Sequence, residues 1–401
     1  MKNPYRPGAG HYPPHLAGRQ NEINRCENLF EQDIIMKNII ITGLRGVGKT
    51  VLLTKLKPIA LQKKWVWCGT DMSESVSVSE ENLAIRILTD ISIPLSNVTF
   101  DIQLIKEVGF TEYKSKELKL GFNELYNLYQ NTPGLISDKL KYVLGFVWEI
   151  MKAKTSFKGI IFAYDEVQTM QDHAKKEQYP LSLLLDLFQS IQSKGIPFML
   201  ILTGLPTLFP KLVSTRTYSE RMFEQIFLEK LNDRDSKDAI ETPLREENCE
   251  ILFTPESVET IVRVSGGYPY FIQFICKEVY DIFITQVEEG SEDSKVPVKE
   301  IIQKLDTDFY SGRWANLSDR QRELLKVVSM LDNSDKEFSV QEVVNKSEER
   351  LEKPFGNSHV TQMFGALQIK GILFRNRYGK YSFAVPLFNE FIRRQIELHE
   401  V

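Results

Sequence analysis

The run Gly43-Leu44-Arg45-Gly46-Val47-Gly48-Lys49-Thr50 has the spacing G-x-x-x-x-G-K-[ST] and follows the β-branched stretch Asn38-Ile39-Ile40-Ile41-Thr42. Phosphate binding dictates these residue types. Gly43, Gly46 and Gly48 let the backbone wrap closely, so that its N–H groups can point at phosphate oxygens. The helix expected to begin near Thr50 adds the positive end of its dipole. Lys49 can reach the β- and γ-phosphates, and Thr50 can offer a hydroxyl to Mg²⁺. Leu44, Arg45, Val47 and Val51 complete the set of loop residues expected against the nucleotide. A glycine turn can precede a helix by chance, but the order strand, loop, helix argues for a nucleoside triphosphate site.

Hydrolysis needs more than a cradle. Ile160-Ile161-Phe162-Ala163-Tyr164-Asp165-Glu166 places two carboxylates at the end of an apolar strand. Asp165 suits the Mg²⁺ shell, and Glu166 suits polarising an attacking water. Many strands simply end in solvated acids; the phosphate loop makes the catalytic alternative the stronger one. Thr203 closes a second apolar strand, 198–202, where its side chain could sense the γ-phosphate or the water. Arg216 and Arg221 lie between that strand and the strand expected at 223–228, and either could be an arginine finger, in cis or from a neighbouring subunit. A solvated loop arginine is the plain alternative for each.

The elements that must position these groups follow from periodicity. Helices are expected over 20–36, 50–62, 79–90 (capped by Ser79), 136–154 and 181–194, with strands over 38–42, 64–68, 159–164 and 197–203. Apolar strands alternating with helices indicate a parallel sheet covered on both faces. Residues 91–134, with Pro94, Pro133 and scattered aromatics, are expected to be an irregular elaboration of that core. After Leu231 the strand signal stops, and helices over 232–242, 255–265 and 268–286 make a small helical domain. A polar linker is expected over 288–297. Three helices (317–331, 339–346, 358–370) and a hairpin over 372–383 then follow the order of a winged helix-turn-helix.

The chain has 401 residues, too many for one ordinary core, so several domains are expected. We divide it into an arm (1–20), a phosphate-loop core (21–231), a helical lid (232–290) and a winged-helix domain (298–401). A net charge of −4 gives no global signature of nucleic-acid binding, which leaves only a local patch. The four cysteines are far apart and form no C-x-x-C zinc pattern; they suit a reducing cytoplasm. No apolar run approaches membrane-spanning length, so no membrane partner is expected.

In order, these motifs resemble the AAA+/STAND branch of P-loop ATPases, in particular archaeal-type ATPases and origin-recognition initiator ATPases. The resemblance rests on Leu16-Ala17-Gly18-Arg19-Gln20-Asn21-Glu22, the phosphate loop, Asp165-Glu166, Thr203, the arginine-bearing segment and Gly266-Gly267-Tyr268-Pro269, with a winged helix after them. It spans nearly the whole chain. It implies an α/β fold with a three-layer core, a helical lid and a C-terminal winged helix, with ATP rather than GTP as nucleotide. It also implies that Ala17, Gly18 and Arg19 lie beside the adenine, and that Tyr268 and Pro269 open a lid helix over the nucleotide. Initiator ATPases usually carry an arginine in that helix. Here it reads Tyr270-Phe271-Ile272-Gln273-Phe274-Ile275, which favours the archaeal-ATPase/STAND side.

A DNA-reading winged helix would contact bases through Ser358, His359, Thr361 and Gln362, and phosphates through Arg375, Arg377 and Lys380. Met363, Phe364, Leu367 and Ile369 are expected to form its own core. Two functions remain open, beside a less favoured third, a nucleotide-binding protein with negligible turnover. One is a slow Mg²⁺-dependent ATPase switch that engages DNA or a DNA-acting partner, and it could assemble with nucleotide. The other is a signalling or defence regulator, in which ATP controls protein–protein assembly with a partner encoded by a neighbouring gene.

Overall fold

The computed structural model describes residues 2–8, 10–69, 71–104, 114–290 and 295–397. Two compact units are present: Gln20–Thr42 with Leu52–Phe227, and Met1–Arg19 with Gly43–Val51 and Leu228–Val401.

The first unit is built around a sheet. Its elements are α1 (Gln20–Phe30), β1 (Asn38–Gly43), α2 (Lys49–Gln62), β2 (Trp65–Cys68), α3 (Glu80–Leu95), β3 (Thr99–Leu104), β4 (Lys114–Lys119), α4 (Phe122–Asn131), α5 (Ile136–Lys154), β5 (Gly159–Tyr164), α6 (Pro180–Gln192), β6 (Phe198–Gly204), α7 (Leu208–Thr215), α8 (Ser219–Met222) and β7 (Phe223–Leu228). The strand order is β2-β5-β6-β1-β7, with β2/β5, β5/β6 and β6/β1 parallel. Every residue of β1, β5 and β6 is buried. Ile40, Ile160, Phe162, Phe198 and Leu200 pack with α3, α5 and α6 in one core. Their alternates Ile39, Ile41, Ile161, Met199 and Ile201 are equally buried on the opposite face, where the Trp65 indole donates to the Phe30 carbonyl of α1 at 2.9 Å. A parallel sheet with both faces closed is a three-layer core, which is why these strands read as unbroken apolar runs.

Residues 91–134 are more regular than the sequence suggested. Ser79 caps α3 as expected, but the helix runs on to Leu95 with Pro94 inside it. Pro94 has no N–H for the Asp90 carbonyl, and the helix stops one residue after it, at Leu95. An antiparallel β3–β4 pair and α4 follow. The stretch 105–113, with Phe110 and Tyr113, lies outside the described residues.

The second unit holds the phosphate loop and the rest of the chain. It contains α9 (Asp233–Glu246), α10 (Pro255–Ser265), α11 (Pro269–Glu288), α12 (Val298–Leu305), α13 (Ser311–Ala315), α14 (Asp319–Ser329), β8 (Phe338–Ser339), α15 (Val340–Arg350), α16 (Asn357–Ile369), β9 (Leu373–Arg377), β10 (Lys380–Phe383) and α17 (Phe388–Glu397). Residues 291–294 of the expected linker lie outside the described residues. A π turn, Asp306–Tyr310, joins α12 to α13, a helix the sequence did not disclose. From α14 to β10 the order of helices and the antiparallel sheet β8-β10-β9 is that of a winged helix-turn-helix. One apolar core runs through α9–α11, the π turn and the winged helix.

Ile369 corrects an expectation. Val360, Met363, Phe364 and Leu367 are buried, whereas Ile369 is 90% exposed. It lies nine positions after Val360, half a revolution off the buried stripe at 100° per residue. No helix among the described residues is long and apolar enough to cross a membrane.

Candidate nucleotide site

The phosphate loop forms because two of its glycines take left-handed backbone angles, φ +77° at Gly46 and +94° at Gly48. A Cβ on Gly43 would lie 2.7 Å from the Leu228 carbonyl oxygen, so a side chain is excluded there as well. Lys49 is buried, and its ammonium donates to the carbonyls of Gly43 (3.1 Å) and Leu44 (2.9 Å). Arg45 and Thr50 are exposed, and Val47 is buried.

Two partners fix this loop from outside. Arg19 is buried, and its guanidinium donates to the Val47 carbonyl (3.0 Å) and the Glu229 carbonyl (2.6 Å). Ala17 is in the unit's core, and a Cβ on Gly18 would meet the Asp235 carboxylate at 2.6 Å. The second partner is the start of α11. Tyr268 precedes it, Pro269 occupies its first position, and the Tyr270 N–H donates to the Gly46 carbonyl at 3.1 Å. A Cβ on Gly46 would lie 2.9 Å from the Tyr270 Cβ. The Gly-Gly-Tyr-Pro turn thus delivers a helix directly onto the loop. Tyr270 was not singled out from sequence, because nothing local in the chain signals this contact.

In the sheet unit, Tyr164 pairs with Leu202, so the ends of β5 and β6 bring Asp165 beside Thr203. Both side chains are buried, and the Thr203 hydroxyl donates to Asp165 Oδ1. The Glu166 N–H donates to the same oxygen at 2.8 Å. Glu166 is exposed and sits in the left-handed region at φ +54°, a conformation that costs a non-glycine residue about 1–3 kcal/mol. Its carboxylate accepts from the Gln168 side-chain amide. Gln168 Oε1 in turn accepts from the Leu205 N–H (3.1 Å), just past β6. Gln168 is therefore a positioning residue for Glu166 that sequence reasoning missed. Only the motif's next turn, Val167-Gln168-Thr169, hinted at it.

The two candidate fingers differ. Arg216 is clamped to Asp186 of α6 by two bonds of 2.8 Å, and Tyr218 donates to the same carboxylate at 2.6 Å. The Arg216 bonds hold the Asp186 carboxyl below its ordinary range, and they raise the already high Arg216 pKa. Arg221, in α8, has no ion pair among the described residues. For Mg²⁺, the Asp165 carboxylate and the Thr50 hydroxyl offer hard oxygen donors. The described residues contain no cluster of three or more His, Cys, Asp or Glu that would make an all-protein cage. Each of the two groups by itself offers the kind of oxygen that Mg²⁺ takes alongside nucleotide phosphates and water.

In the winged helix, Ser358, His359, Thr361 and Gln362 are all exposed on α16. The wing cations are not equivalent. Arg377 pairs with Glu337 at 2.9 Å and Lys380 with Glu342 at 3.0 Å, while Arg375 lies 4.9 Å from the ring centre of Tyr378.

No family model matches this chain, and no curated protein sequence matches it. Solved structures do. A Walker-type ATPase of Pyrococcus abyssi is similar with a TM-score of 0.58 at 14% identity, over 94% of this chain and 96% of that one. The ORC2 protein of Aeropyrum pernix is similar in its ADPNP–ADP complexes (TM-score 0.57, 12% identity, 98% of each chain). Its ADP form gives a TM-score of 0.58 at 13% identity, over 98% of this chain and 97% of that one. The loop on β1, the acid at the end of β5, the helix laid on Gly46 and the winged helix together give this chain the fold shared by that Walker-type ATPase and that ORC2 protein.

Proposed function

We propose that this chain is an ATP-binding, slowly hydrolysing switch of the AAA+/STAND type. The carrying observation is the meeting of Asp165 and Thr203 at the ends of β5 and β6. β1 ends beside them, with Ile41 opposite Thr203, and the phosphate loop begins with the following residues. In this reading the loop N–H groups and Lys49 hold the triphosphate, and Arg19 keeps the loop's Val47 peptide in place. Ala17 and Gly18 flank the base, with Tyr268 and Pro269 leading α11 over the nucleotide. Thr50 and Asp165 hold Mg²⁺, which supplies charge neutralisation to the phosphates. Glu166 polarises the attacking water, Gln168 fixes its carboxylate, and Thr203 orients Asp165. Arg221 is the better candidate for a finger, since Arg216 would first have to leave Asp186. A calorimetric titration of the full chain with ATP and Mg²⁺ tests this: wild type binds, and Lys49→Ala binds at least tenfold more weakly. Equal affinities would sink the proposal.

For the winged helix, the exposed α16 face and Arg375 support engagement of DNA. A second reading, a protein-docking module, is favoured by one observation. Two of three wing cations are neutralised by Glu337 and Glu342, while Ile369 and Tyr378 stand 90% and 94% exposed. That leaves less charge for phosphates and more apolar surface for a protein partner. A nucleotide-dependent assembly of such a partner with this chain belongs to this reading.

A further inference from the structure

The outermost strand of the five-stranded sheet, β2, pairs among the described residues with β5 alone. The Lys64 carbonyl accepts from the Lys158 N–H at 2.8 Å, so Lys64, Val66 and Cys68 direct their backbone groups at β5. The N–H and C=O groups of Trp65 and Trp67 therefore point away from the sheet. Such a row is a template for one more strand unless a helix, a proline or a charge blunts it. Here it is left open. A cavity of about 410 Å³ borders it, walled by Lys57 and Leu61 of α2, Ile93 and Pro94 of α3, and Phe157 of the α5–β5 connection. Leu61, Ile93 and Phe157 are 49%, 68% and 40% exposed. Single exposed apolar residues are ordinary, but three gathered beside an open strand edge make a surface for an apolar segment.

Charge decides between occupants. Lys57 is exposed and has no ion pair among the described residues, and the same holds for Lys64 at the start of β2. Their neighbours Lys63 and Lys158 already hold Glu31 and Asp33. The acid lining the cavity, Asp90, is buried and bound by the Arg86 guanidinium at 2.9 and 3.0 Å. What the cavity offers an occupant is thus positive charge. A second copy paired edge to edge would bring the same lysines and no free acid. A foreign segment that carries an acid answers Lys57.

We infer that the β2 edge and its cavity form a docking surface for an extended, apolar segment of a partner protein with an acidic residue for Lys57. The segment adds a strand: its main chain pairs with Trp65 and Trp67, and its apolar side chains meet Leu61, Ile93 and Phe157. The inference does not depend on nucleotide binding.

The test measures fluorescence anisotropy of labelled synthetic peptides with the full chain. The first probe alternates valine and threonine between flanking glutamates. The second has the same core between lysines, and the third is the glutamate probe with alternate backbone amides methylated, so that it cannot pair as a strand. Wild type should bind the glutamate probe at least tenfold more tightly than either of the others. Lys57→Glu should reverse the preference between glutamate and lysine flanks, and Ile93→Gln should weaken the glutamate probe at least fivefold. Both positions are exposed, so both variants should keep the wild-type melting temperature. No binding of the glutamate probe, equal binding of the methylated probe, or a flank preference unchanged in Lys57→Glu would each overturn the inference. Sedimentation of the chain alone addresses the other occupant. A concentration-dependent dimer that Ile93→Gln abolishes would make this edge a contact between copies, and the partner assignment would fall.

Discussion

The Thr203 hydroxyl donates to the Asp165 carboxylate at the buried ends of two adjacent parallel strands. A hydrogen bond to a charged acceptor is worth more than a neutral one, and leaving the acceptor short of a donor costs about 1–3 kcal/mol. Thr203→Val keeps the shape and removes the donor. The variant should melt at lower temperature and hydrolyse ATP at least tenfold more slowly, while metal-free ATP binding changes less than twofold. Differential scanning calorimetry and a steady-state phosphate-release assay check both halves.

Gly46 and Gly48 separate backbone strain from steric contact. Both have positive φ, but a Cβ on Gly48 meets nothing within 4 Å, whereas one on Gly46 strikes Tyr270. Each alanine substitution costs roughly 1–2 kcal/mol for the left-handed backbone. Gly46→Ala should cost more, because it also displaces the start of α11. The difference in unfolding free energy between the two variants, read by denaturant titration, should favour Gly48→Ala.

Gln168→Ala removes the amide that holds the Glu166 carboxylate and the bond to the Leu205 N–H. Turnover should fall about tenfold with ATP affinity unchanged, the pattern of an interaction needed in the transition state rather than the ground state. Parallel measurement of kcat and the ATP dissociation constant checks this.

Glu342 gives a pH signature to the winged helix. Burial pushes its carboxyl up, but hydrogen bonds from Ser339, Lys380 and Asn333 outweigh burial and bring its pKa down to about 2. A depressed carboxyl pKa contributes stability above the unfolded value, about 4.3, and that contribution is lost as pH falls towards the folded value. Glu342→Gln should therefore lower the melting temperature at neutral pH. The gap to wild type should narrow between about pH 4.3 and pH 2.

The candidate site is legible in the sequence where it is local. The phosphate loop, Asp165, Glu166 and Thr203 all sit at strand ends, and unbroken apolar runs announce the strands that carry them. The Ser79 cap and the exposed α16 face were equally readable, since each depends on one helix's own periodicity. What escaped depends on distant chain segments meeting. Tyr270 reaches Gly46 across more than two hundred positions, Arg19 clamps Val47, and Gln168 reaches the end of β6. Pro94 disguised the end of α3, and the π turn at Asp306–Tyr310 broke the helical period that would have revealed α12 and α13. Ile369 misled because an apolar residue near a helix end carries no label for its face.

The most direct test is ATP binding and hydrolysis by Glu166→Gln, measured side by side with wild type in Mg²⁺. Glu166→Gln should bind ATP with wild-type affinity while phosphate release falls at least a hundredfold. Hydrolysis at the wild-type rate would contradict the assignment of Glu166, and with it the catalytic role given to the end of β5.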